Sequence, residues 1–217
     1  MIVKSRGIVL SYMKYGDTSI IARVFTEEAG YGSFIVNSIR SQKSKKSIGH
    51  FQPFSILDLV LYVKETRDLQ RISEFRNHFP LHNLHYDPVK SAITLFLTEI
   101  FSKLLQAEQS PNPSLFAFAV DSIQSFDAMK EGTANFHLQF LLKVGPFLGF
   151  AIEEINDLFH STDRLAPSTD IFQHMGELIE APYGTTLEMN REMRNKILDE
   201  VINYYRHHAH ISKPKSI

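Results

Sequence analysis

The chain has no cysteine, so it can form neither a disulfide framework nor a thiolate zinc site, and its redox compartment is not legible. No apolar run approaches the roughly 18 residues that a membrane-crossing helix needs. The first residues, Met1-Ile-Val-Lys-Ser-Arg-Gly7, lack the charged and then apolar layout of a secretory signal, so a cytoplasmic protein without a membrane partner is expected. Also missing are a phosphate-cradling GxxxxGK[ST] or GxGxxG run, an HExxH pair, and any local arrangement of nucleophile and base. No catalytic residue, cofactor or metal is therefore expected, although scattered carboxylates leave a metal-dependent nuclease as an alternative. Asp17, Glu27, Glu28 and Asp58 are its candidates, and near turns they read more simply as turn formers and solubilising charges.

One absence is local. Between Glu28 and Asp58 there is no acidic residue, yet Arg40, Lys43, Lys45 and Lys46 fall close together among serines too small and polar to build a core. Such a run reads as a basic surface loop between two apolar strands. Residues 1–79 carry 12 Lys and Arg against 7 Asp and Glu, giving +5, whereas residues 80–217 carry 11 against 17, giving −6. The basic half suits a polyanion; the acidic half suits solvent or protein partners.

At 217 residues, 43% hydrophobic and 22% charged, the chain has the composition of a globular protein with one large domain or two small ones. Residues 7–12, 19–26, 33–39 and 54–63 are rich in β-branched and aromatic side chains and read as strands, with a shorter fifth over 69–75. Tyr15-Gly16-Asp17 and Glu28-Ala29-Gly30 supply turns. Five short strands suggest a closed barrel of the oligonucleotide-binding (OB) type, whose working face is strands 2 and 3.

After Pro80 the period becomes helical. Asp87-Pro88 and Asn112-Pro113 are helix starts, a third helix runs from about Asn135 to Pro146, and Asn190 caps a last one with Met193, Ile197, Val201 and Tyr204 inward. Gly149, Pro167, Gly176, Pro182 and Gly184 break the stretch 149–189 into short helices and loops. The expected class is α+β: an OB-fold DNA-binding domain over 1–79, then an all-helical domain over 80–217.

Gly7-Ile-Val-Leu, Tyr15-Gly16-Asp17, Phe25-Thr26-Glu-Glu-Ala-Gly30, the basic Ser/Lys loop and Gln52-Pro53-Phe54 follow one another in an order that resembles the N-terminal domain of the RecO family of bacterial recombination mediators. Leu148-Gly149-Phe150 after a helix extends the likeness in layout. The resemblance implies a DNA repair mediator that binds single- and double-stranded DNA and anneals complementary strands. It also implies action with RecR, and with the single-strand binding protein, to load a recombinase, in a cytoplasmic, nucleoid-associated setting. Two features depart from the family. Many members carry a four-cysteine zinc module after the Leu-Gly-Phe segment, which is absent here, and many have glycine where Asn37 stands.

The candidate DNA-binding residues are Arg23, Arg40, Lys43, Lys45, Lys46, Arg67 and Arg71, because cations on loops and strand faces neutralise phosphates whatever the base sequence. Tyr12, Tyr15, Tyr31 and Phe34 are candidates for base stacking, or else barrel residues with Phe34 in the core. His78, His82 and His85 read as a polar linker rather than a metal site, and His207, His208 and His210 lie in a basic tail. The single-strand binding protein ends in an acidic, hydrophobic tail, which would need an apolar groove with a cation at its rim; Lys90, Lys103, Lys130 and Lys143 are the helix cations available. A pure protein adaptor, with a structural barrel, is the other alternative.

Overall fold

The computed structural model describes residues 1–41, 47–64, 66–108, 110–149 and 169–209, and the chain divides into two compact units, Met1–Val120 and Asp121–Ile217. In the first unit, β1 (Ile2–Tyr15), β2 (Ser19–Thr26), β3 (Gly30–Val36), β4 (Ile56–Tyr62) and β5 (Leu69–Phe79) close a barrel in the order β1-β2-β3-β5-β4. Neighbours are antiparallel except β3 and β5, which run parallel and pair Ser33, Phe34 and Ile35 with Leu69, Gln70 and Arg71. This is the expected OB-fold topology.

Strand limits depart from the sequence expectation for physical reasons. β1 is longer because it serves two neighbours: its first half, from Ile2 to Ile8, pairs with β4, and Gly7 to Tyr15 pairs with β2. A bulge between Val9 and Ser11 lets it bend from one to the other. β3 stops at Val36 because Ser38 takes a positive φ of 59°, which turns the chain out of the sheet.

Alternate residues point into the barrel, where Val9, Ile20, Ala22, Val24, Phe34, Leu57, Leu59, Leu61 and Ile72 form the core. Gly7 is required there, since a Cβ would lie 2.5 Å from Leu59 Cδ1 and 2.8 Å from Val24 Cγ1. Phe25 points outward yet is fully buried, its ring meeting Phe101 at 5.9 Å and Phe116 at 5.5 Å. Those partners belong to α1 (Pro88–Leu105) and α2 (Pro113–Ala128), so these two helices cover part of the barrel's outer surface. Asp87 caps α1 by accepting from the Val89 and Lys90 amides at 2.8 and 2.9 Å. Asn112 Oδ1 accepts from the Leu115 amide in the same way at 3.0 Å.

The second unit contains α3 (Phe136–Val144), α4 (Thr169–Glu180) and α5 (Arg191–His208). Phe136 stacks on Phe126 of α2 with centroids 3.9 Å apart, and Tyr205 of α5 donates to the Leu141 carbonyl at 2.6 Å. Gln139 of α3 donates to the carbonyl of Ala181 at 3.0 Å, and Lys143 donates to the same oxygen at 2.6 Å. Together they satisfy the chain just beyond the end of α4. The length of α4 corrects the expectation of only short helices over 149–189. Gly176 sits inside it, and Ile171, Met175 and Leu178 form a buried helical stripe that outweighs one glycine. Residues 150–168 and His210 lie outside the described residues.

Candidate nucleic-acid interface

Strand register builds the exposed surface. On the outer face of the barrel, Met13 pairs with Ile21, Ile21 with Ile35, Ile35 with Arg71, Arg71 with Tyr62 and Tyr62 with Ile2, so these six residues form one row across all five strands. A second row runs beside it from Ser11 through Arg23 and Ser33 to Leu69. Ile2 and its neighbour Tyr62 are 60% and 45% exposed, and Met13, at the far end of the circuit on β1, is 62% exposed. Neither row carries a carboxylate, and each carries one arginine. Arg71 lies over the Tyr62 ring, 5.8 Å from its centroid, which orients the guanidinium while leaving it at the surface.

The candidate cations fall around these rows. Arg23 is exposed at the middle of β2, its neighbours Ser11 and Ser33 too short to screen it. Arg67 is exposed in the turn between β4 and β5, whose shape is fixed by Gln70: its side chain bonds the Lys64 amide and the Lys64 and Arg67 carbonyls. Arg40 is half-buried. Its Nε donates to the Ser19 carbonyl at 3.1 Å, its Nη2 to the Gly16 carbonyl, and its own amide to the Thr18 carbonyl at 2.9 Å. It therefore ties the start of the basic loop to the β1–β2 hairpin. Lys43, Lys45 and Lys46 lie outside the described residues.

Among the aromatics, Tyr12 and Tyr15 are exposed and Tyr31 is half-buried. Phe34 is 1% exposed inside the barrel, so it is a core residue and has no ring face to offer a base. Met13, Tyr62 and Ile2 are not apparent as a group in the sequence. Alternation marks which residues face out, but only the register shows that Ile2 and Tyr62 are neighbours and that Met13 lies at the other end of the row.

On another outer surface of the barrel, a cleft of about 570 Å³ is lined by Lys4, Arg6, Glu27, Glu28, Asp58, Glu74 and Arg76 among others. Charges there are largely matched. Arg6 grips Glu27 with two hydrogen bonds of 2.7 and 2.8 Å, which hold its carboxyl below the usual glutamate range despite burial. Burial pushes Asp58 up, but hydrogen bonds from His78 at 2.7 Å and Arg76 at 2.9 Å outweigh it and leave the group low. Two of the four nuclease carboxylates are thus committed to ion pairs, and Asp17 and Glu28 lie exposed at turns. His85 bonds the Pro53 carbonyl at 2.8 Å, apart from the His78–Asp58 pair. Among the described residues, no three His, Asp or Glu side chains converge to hold a metal ion, and no helix is long and apolar enough to cross a membrane.

Of the helix lysines, Lys90 is buried and Lys103 pairs with Glu99 at 3.0 Å. Burial holds Lys143 below its ordinary pKa, with its ammonium 5.0 Å from the Tyr183 ring centroid. Lys130 is exposed.

Comparison with known proteins adds an independent line. A family model described as Recombination protein O N terminal matches residues 1–78, and one described as Recombination protein O C terminal matches residues 85–176. The chain is 33% identical over 227 residues to the DNA repair protein RecO of Bacteroides fragilis, covering 96% of this chain and 93% of that protein. It is 31% identical over 233 residues to the DNA repair protein RecO of Flavobacterium psychrophilum, covering 100% of this chain and 97% of that one. A third relative, the DNA repair protein RecO of Porphyromonas gingivalis, is 30% identical over 230 residues, with 96% and 93% covered.

Proposed function

This chain belongs to the RecO family of DNA repair proteins, and from that premise we propose that it is a non-catalytic recombination mediator. It binds single- and double-stranded DNA on the barrel of residues 1–79, anneals complementary strands, and acts with RecR to load a recombinase onto strands coated by the single-strand binding protein. The observation that carries this reading is the outer face of the barrel, where Arg23 and Arg71 stand in two carboxylate-free rows. Phosphate neutralisation is indifferent to base sequence, as a protein acting on any broken strand requires. A nuclease reading loses support because Glu27 and Asp58 are occupied by Arg6, Arg76 and His78.

Arg40 is tied to the β1–β2 hairpin immediately before the basic run, which supports a role for Lys43, Lys45 and Lys46 in binding phosphates. The acidic tail of the single-strand binding protein would dock on the helical domain, where Lys130, just beyond the end of α2, is exposed for the rim. The test is a salt titration of binding to single-stranded DNA. Replacing Arg40, Lys43, Lys45 and Lys46 with alanine is expected to weaken binding to every sequence and to lower the slope by about 0.7 for each phosphate no longer neutralised. An unchanged slope would remove the loop from the site, and absence of salt-dependent binding by the unmodified protein would favour the adaptor alternative.

A further inference from the structure

We propose that two copies of this chain dock by exchanging tyrosines, Tyr86 of each copy entering a pocket that the other forms between α1 and the turn before β4. Gln52, Pro53, His85, Ser91, Thr94 and Leu95 line that pocket, whose volume is about 160 Å³, room for one large side chain. Its shape is fixed by the turn. Phe54 holds a positive φ of 64°, which a bulky residue keeps only where its surroundings over-determine it. Its amide donates to the Val9 carbonyl at 2.7 Å, the Ser55 amide donates to the Gln52 carbonyl at 3.0 Å, and His85 Nε2 donates to the Pro53 carbonyl at 2.8 Å. Thr94 is 2% exposed, and its hydroxyl has no hydrogen-bond partner among the described residues. Leaving a buried hydroxyl so is costly, which asks that the occupant bring a polar atom with it. Among the described lining residues there is no carboxylate, lysine or arginine, so a charged occupant would find no counter-charge.

A neutral, largely apolar group tipped with one hydroxyl is a tyrosine side chain. One stands beside the pocket. Tyr86 follows the lining residue His85, yet it is 81% exposed and so does not fill its own pocket. Its backbone is set, since its amide and that of Asp87 both donate to the Asn83 carbonyl, at 3.0 and 2.9 Å. Val89 and Leu95 add bare apolar surface to the same stretch of chain. Knob and hole therefore share one patch, and a two-fold axis through it sets each knob over the partner's hole, the self-complementary contact of a closed dimer. That axis also draws the two Asp87 carboxylates together, but each accepts from the Val89 and Lys90 amides at the start of α1, which offsets part of its charge. Each tyrosine buries roughly 150–250 Å². The interface is thus at the small end of specific contacts, with a dissociation constant on the order of micromolar.

The experiment is analytical ultracentrifugation of the full chain over a concentration series without DNA, so its outcome is separate from the reading of the barrel. The unmodified protein should dimerise, and Tyr86→Ala should raise the dissociation constant by more than about tenfold. Tyr86→Phe and Thr94→Val should each raise it less, and the two together no further than either alone, because both remove the same hydrogen bond. Leu95→Glu, which sets a charge on the rim, should abolish the dimer. Tyr86 and Leu95 are exposed, so melting temperatures of their variants should match that of the unmodified chain. Mixing Tyr86→Ala with Leu95→Glu should restore association beyond either variant alone, since the mixed pair keeps one intact knob and hole. A chain that stays monomeric at every concentration would overturn the proposal. So would a dimer indifferent to Tyr86→Ala, or a mixture that associates no better than its components.

Discussion

The guanidinium of Arg40 already has two carbonyl oxygens, those of Gly16 and Ser19, so it fastens its own stretch of chain to the β1–β2 hairpin. Its charge is visible in the sequence, but its partners, 24 and 21 residues away, are not. Tyr62 shows the same limit, since nothing near it in sequence announces Arg71 as its neighbour. In the second unit, His137 carries a consequence for pH. Burial first, and then the positive charge of Arg194, push its imidazole down to about 4 from an ordinary 6.5. An unfolded chain takes up a proton near 6.5 that the folded chain refuses until about 4, so the contribution of His137 is fully present above 6.5 and is lost as pH falls through that window. In urea denaturation, stability should decline from pH 6.5 towards pH 4, and His137→Gln should flatten that part of the curve. Identical pH profiles for the two proteins would show that another group sets the decline.

At the level of elements, polar caps are the most legible features. Asp87, Asn112 and Asn190 are each marked by residue type and position, and each accepts the expected amide hydrogen bonds. Replacing Asp87 by alanine should lower stability by about 1 kcal/mol, with asparagine nearly neutral. A denaturation midpoint insensitive to Asp87→Ala would mean that packing alone fixes the start of α1. Less legible is α4, because Gly176 and the flanking prolines read as breaks when seen without the tertiary packing that overrides them. Its end is held by Gln139 and Lys143 from α3, an arrangement that no local pattern encodes. Barrel membership can be read from alternation, but the two outer rows cannot: period two tells which residues share a face, and only the pairing of β3 with β5 decides which strands share it.

Over the whole molecule, charge divides into +5 for residues 1–79 and −6 for residues 80–217, which suits the proposed division between a polyanion and protein partners. If the helical part docks the acidic tail of the single-strand binding protein, annealing of coated complementary strands should slow sharply when that protein lacks its tail, while annealing of naked strands stays unchanged. Equal rates on both kinds of coated strand would leave the helical part without this role. The barrel itself closes through a seam of three residue pairs, where Ser33, Phe34 and Ile35 of β3 meet Leu69, Gln70 and Arg71 of β5. Joining them brings together segments 36 residues apart, the loop-closure step whose entropy must be met before the pairing gives anything back. Both outer rows cross that seam, at Ser33–Leu69 and at Ile35–Arg71. If nucleic acid binds across that seam, the opened form loses it, and occupancy of the site and closure of the fold become one linked equilibrium.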